Sequence, residues 1–129
     1  MHAFRAAVES GDIDAAIELV TDDVEFRSPI VFKPYRGREA VRVLLTAVSR
    51  VFEDFSYTRE IGAPGARDHA LVFRARIGDR QVEGCDFLHL DADGLIDEFT
   101  VMVRPLSAAQ ALSGAMAAQF DQIQREAVN

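Results

Sequence analysis

Between residues 55 and 104 the chain reads as four strand-like runs, 55–61, 69–77, 81–90 and 95–104, split by Ala63-Pro64-Gly65, Gly78-Asp79-Arg80 and Asp91-Ala92-Asp93-Gly94. The separators are short and built of turn-forming residues. Connections this brief join neighbouring strands as antiparallel hairpins, because a parallel crossover needs a dozen residues or more. The spacing therefore predicts a meander over this half of the chain.

The remaining segments read as helices. Phe4, Ala7 and Val8 recur at helical spacing up to Gly11, a C-terminal stop, and Asp12 can cap a second helix whose face is Ile13, Ala16, Ile17 and Val20. After the polar stop Thr21-Asp22-Asp23, residues 24–28 alternate as a short strand whose pairing Pro29 limits, and 30–37 form a loop with Pro34 and Gly37. A third helix over 38–52 draws one stripe through Val41, Leu44, Leu45, Val48 and Phe52. Ser107 and Gln110 make a capping box for a last helix with Leu112, Met116, Phe120, Ile123 and Ala127 along one side. Three helices, a curved antiparallel sheet and a final helix is an α+β layer order, and 129 residues suit a single domain. One sheet cradling helices leaves a hollow between the layers.

Charge and motif content exclude several functions. Fourteen basic residues face twenty-one acidic ones, a formal net charge of −7, with no basic stripe to neutralise phosphates, so neither nucleic acid nor an anionic membrane is an expected partner. No apolar run approaches the roughly 20 residues that span a bilayer, and the N-terminus reaches Glu9 too early for a signal-peptide core. Cys85 is the only cysteine, which rules out an intramolecular disulfide and makes a cytoplasmic setting the expectation. Asp91-Ala92-Asp93-Gly94 lacks the further ligands of a calcium loop, and His2, His69 and His89 have no metal-ligand spacing with one another or with Cys85. There is no phosphate-binding glycine loop and no nucleophile elbow. No metal or cofactor is expected.

Asp86 stands out against this background. It shares a strand face with Val82, Leu88 and Leu90, so it is carried inward with them. A carboxylate in that company is paired, held neutral or working, and burial raises its pKa toward the range of a general acid or base. A structural Asp tied to a backbone N–H or an Arg is the plain alternative. His89 falls on the opposite face with Cys85 and Phe87, as a packed or interface histidine. Arg74 and Arg76 share a face with Val72, either solvated or turned toward an anionic ligand, and Tyr35 either offers a hydroxyl to a pocket or anchors its loop.

Taken in order, Phe4 to Gly11-Asp12, Asp22-Asp23-Val24-Glu25-Phe26, Ser28-Pro29, Tyr35-Arg36-Gly37-Arg38-Glu39, Gly84-Cys85-Asp86 and Asp93-Gly94-Leu95-Ile96 resemble the SnoaL-like polyketide cyclases. That family's superfamily also holds nuclear transport factor 2, ketosteroid isomerase, scytalone dehydratase and limonene epoxide hydrolase. The resemblance implies a cone-shaped, bent antiparallel sheet wrapped around three N-terminal helices, an apolar pocket at its wide end, and a homodimer. It does not settle function, since the superfamily includes isomerases, dehydratases, cyclases, hydrolases and non-catalytic members.

Set beside ketosteroid isomerase, the first-helix tyrosine falls on Phe4, the general-base aspartate on Ser28 and a second tyrosine on Leu45; only the oxyanion-hole carboxylic acid has a match, in Asp86. Steroid isomerisation of that kind is thus not expected. Asp86 also stands where the cyclases carry their acid/base aspartate, without a counterpart to the cyclase histidine. Two readings follow. One is a cofactor-free isomerase, cyclase or dehydratase for a small hydrophobic carbonyl compound, with Asp86 catalytic, Ser28 and Tyr35 orienting the substrate, and Val41, Leu45, Val48, Phe52, Phe99, Val101 and Val103 as apolar lining. The other is a non-catalytic module that binds a small hydrophobic molecule or dimerises.

Overall fold

The computed structural model describes residues 1–128, with side chains through Arg125; the side chain of Ala127 lies outside the described residues. Helix α1 (Ala3–Glu9) starts at His2, whose Nδ1 accepts from the Phe4 N–H at 3.0 Å. Helix α2 (Ile13–Ile17) starts at Asp12, whose Oδ1 accepts from the Ala15 N–H at 3.0 Å. Both caps satisfy donors that a helix start leaves free.

Strand β1 (Val20–Arg27) begins four residues before the alternation 24–28 suggests. Val20 and Val24 are both fully buried, and an irregularity in the pairing between Val20 and Glu25 carries the intervening polar residues outward. Val20 therefore belongs to the sheet and not to the face of the second helix. Strand β2 (Tyr35–Arg36) is a two-residue strand inside the segment read as loop, pairing Tyr35 with Phe26.

Helix α3 (Arg38–Val51) is followed by β3 (Glu53–Ile61), β4 (Asp68–Ile77), β5 (Arg80–Leu90) and β6 (Ile96–Arg104), the expected meander. The last hairpin closes on Asp91, whose Oδ1 accepts from the N–H groups of Asp93 and Leu95; Gly94 supplies the positive φ of 82° that the turn requires. The open sheet has the order β2-β1-β6-β5-β4-β3. Its β1–β6 pair is parallel, which departs from an all-antiparallel sheet. The two strands are joined through α3 and the whole meander, so no tight turn dictates their direction.

Helix α4 (Leu106–Val128) begins one residue ahead of the proposed Ser107 cap: the Pro105 carbonyl accepts from the Ala109 N–H at 3.1 Å, and Ser107 already sits in the first turn. It packs across α3 and strands β4 to β6. The core between the layers holds Phe4, Ile17, Val20, Val24, Val41, Leu71, Phe73, Leu88, Ile96 and Phe99, each contributing roughly 1.5–3 kcal/mol by leaving water. Arg74 and Arg76 lie on the sheet's outer face, paired with Glu83 and with Glu53 and Asp54. His89 is there too, its ring nitrogen 2.8 Å from Asp68 Oδ1.

Candidate functional site

The inner face of β5 presents Val82, Gly84, Asp86 and Leu88 in alternation. Asp86, only 6% exposed, is the one buried charged residue among those described. Its Oδ2 accepts a 2.7 Å hydrogen bond from the Tyr57 hydroxyl, and no ion pair of the described residues includes it. Burial raises the Asp86 carboxyl from 3.8 to about 7, against the smaller lowering effect of the Tyr57 bond. Burial, then the Asp86 charge, raises the Tyr57 phenol far above its usual range, so it stays a donor.

Gly84 arranges this corner. A Cβ there would collide with the ring carbons of Phe73. With only hydrogen at Gly84, the Phe73 ring settles onto the β5 backbone and stacks on Phe55 at 4.9 Å, while Phe55 meets Tyr57 edge-on at 5.0 Å. Tyr57 is thereby held in an aromatic cluster with its hydroxyl turned to Asp86.

Above this pair a cavity of about 620 Å³ opens between sheet and helices, with Asp86 and Tyr57 in its wall. Ser28, Tyr35, Leu45, Val48, Phe52, Phe99 and Val101 also line it. Val41 and Val103 do not. On α3 and its C-cap, Leu44, Leu45, Val48 and Phe52 line the cavity, whereas Val41, nearer the helix start, is fully buried and does not reach it. Val41 thus belongs to packed core. Val103 pairs with Gly84 on β5, where the Phe73 ring fills the space, and packs on the core.

Ser28 Oγ accepts from the N–H groups of Ile30 and Val31 at 3.0 and 2.9 Å, shaping the loop at the cavity wall. Its proton remains available to a ligand.

Sequence reasoning missed Tyr57, Phe55, Phe73 and the contribution of α4, whose Leu112, Ser113, Met116, Ala117 and Phe120 close one side of the cavity. The alternation of Phe55 with Tyr57 was the available signal on β3. For α4 it was an apolar stripe with no assigned partner. Cys85, on the opposite face of β5, has its thiol pushed up by burial and then by the Asp86 charge, which suits inert packing more than reactivity. Among the described residues no group of three or more His, Cys, Asp or Glu is placed to hold a metal ion, and no helix is long and apolar enough to cross a membrane.

The family model of the SnoaL-like domain matches residues 1–99. Among solved structures, an uncharacterized bacterial protein with a cystatin-like fold from Silicibacter pomeroyi DSS-3 is 33% identical, with a TM-score of 0.88 over 95% of this chain and 86% of its own. A steroid delta-isomerase from Pseudomonas aeruginosa is 36% identical, with a TM-score of 0.84 over 97% of each chain. PrhC from Penicillium brasilianum shares the fold at 18% identity and a TM-score of 0.66, over 92% of this chain and 85% of its own. No curated protein matches.

Proposed function

Since the chain belongs to the SnoaL-like domain family and has the cystatin-like, nuclear transport factor 2-like fold, we propose that it catalyses proton transfer on a small, hydrophobic carbonyl compound, with Asp86 as the acid/base group and no cofactor or metal. The observation that carries this reading is a buried carboxyl in a cavity wall, hydrogen-bonded to Tyr57, which burial pushes up to about 7. At neutral pH such a group is present in both forms. Its ionised form takes a proton from the carbon next to the carbonyl, the C–H electrons become the enolate, and Asp86, whose proton exchanges with solvent while the enolate is bound, returns a proton to that carbon or to a conjugated one. A positioned acid/base of this kind accelerates a reaction by about 10²- to 10⁴-fold. Ser28 and Tyr35 orient the substrate, and the apolar wall keeps the carboxyl poised.

The 36%-identical steroid delta-isomerase supports chemistry at an enolisable ketone. Steroid isomerisation itself is not proposed, because Ser28 stands where the related isomerases place an aspartate base, and its oxygen is engaged with two backbone N–H groups. Deuterium uptake at the methyl group of 2-acetylnaphthalene in D₂O, followed by NMR, tests the reading. Uptake is expected with the unaltered protein and lost in Asp86→Asn; exchange surviving in the Asn variant removes Asp86 from the mechanism.

The Tyr57 bond also favours a second reading, in which Asp86 is a structural partner and the cavity only stores a hydrophobic molecule. Asp86→Asn then changes stability without any exchange to lose. Either reading accommodates a homodimer, for which Phe87 and Met102, exposed on the outer sheet face, offer apolar contact.

A further inference from the structure

Of the described residues lining the cavity, two carry charge, Asp12 and Asp86, and both are acidic; no Lys, Arg or His is among them. Asp12 is committed in part to capping α2. Asp86 accepts from Tyr57 and has no cationic partner among the described residues, so its ionised form is a buried negative charge without a counter-ion there. Such a charge is strongly unfavourable until a cation supplies the missing partner. Tyr57, which bonds it, forms one aromatic cluster with Phe52, Phe55 and Phe73, and all four rings are in the cavity wall. Aromatic faces attract ammonium groups and offer nothing to carboxylates. The chain's formal net charge of −7 adds a long-range pull on cations in the same direction.

We infer that the cavity is selective for charge and takes as its preferred ligand an apolar molecule bearing one protonated amine, which pairs with the Asp86 carboxylate while its hydrocarbon part fills the aromatic and aliphatic walls. Neutral molecules of the same shape enter less tightly. Anionic ones are rejected, because they meet two carboxylates and no positive group. The recognition is independent of whether Asp86 moves a proton.

Three probes with one skeleton separate these cases: 2-naphthylmethylamine, 2-acetylnaphthalene and 2-naphthoate, titrated calorimetrically into the 129-residue protein at pH 8. The amine is expected to bind about tenfold or more tighter than the ketone, and the carboxylate about tenfold or more weaker. In Asp86→Asn the advantage of the amine over the ketone disappears. Naphthoate binding as well as the ketone, an amine no tighter than the ketone, or an amine that fails to bind each overturns the inference, and the ranking in the unaltered protein decides this without the variant. Deuterium uptake by the ketone is read separately. A protein that ranks the amine first and leaves the ketone unexchanged keeps the recognition and loses the proton-transfer chemistry.

Discussion

Tyr57 on β3 reaches across the whole of β4 to donate its hydroxyl to Asp86 on β5, at 2.7 Å. The bond spans three strands, so both its geometry and the titration of Asp86 depend on how the sheet is bent and on what lies between.

Removing the donor is the direct test of that dependence. In Tyr57→Phe the carboxyl loses the interaction that lowers its pKa, so its midpoint moves above about 7. Stability falls by about 1–2 kcal/mol for a lost buried hydrogen bond. A ¹³C-carboxyl NMR titration reads the midpoint; one at or below that of the unaltered protein contradicts the assignment.

Asp86→Asn has an effect on stability whose sign follows from the raised pKa. The folded state holds the Asp86 proton more tightly than the unfolded chain, with a value of about 7 against 3.8. The contribution to stability is therefore full below about pH 4 and lost as pH rises to about 7. Asn does not titrate, so the variant gains on the parent with rising pH, by on the order of 3–4 kcal/mol between pH 4 and 8. Urea unfolding at the two pH values checks this; a pH-independent difference counts against a buried, uncompensated carboxyl.

Gly84→Ala places a methyl group against the Phe73 ring and forces the aromatic cluster to move. Overpacking of this kind costs about 1–3 kcal/mol. Phe73→Leu in the same chain is expected to recover part of the loss, giving a non-additive double-mutant cycle. Purely additive losses would mean that the two positions do not share the space.

Met116→Trp fills volume in the cavity from the α4 wall. Affinity for 2-acetylnaphthalene is expected to drop by about tenfold or more, while the NMR midpoint of Asp86 stays where it is. A shifted midpoint with unchanged affinity reverses the assigned division of labour between helix and sheet.

The elements that local pattern encodes were legible in the sequence, and those set by distant pairing were not. Short turns made the β3–β6 meander readable, and alternation with Leu88 told which way Asp86 points. The parallel direction of β1 and the short strand β2 depend on where α3 delivers the chain, which no turn residue records. On α3, the stripe from Val41 to Phe52 was too coarse to separate Val41, packed in the core, from Leu44, Leu45, Val48 and Phe52, which line the cavity. Tyr57 escaped notice because its role requires register across two hairpins. The β3–β4 pairing contains shifts that sequence spacing does not report.

Helix α4 lies outside the stretch that the family model spans, which ends at residue 99, yet it walls the space above Asp86. The proposed acid/base group and the helix that contains its cavity are thus written in separate tracts of sequence. Exchanging residues 106–120 among homologues should retune which molecules are accepted and leave the acid's behaviour intact, a natural route by which one shared scaffold diversifies its clientele.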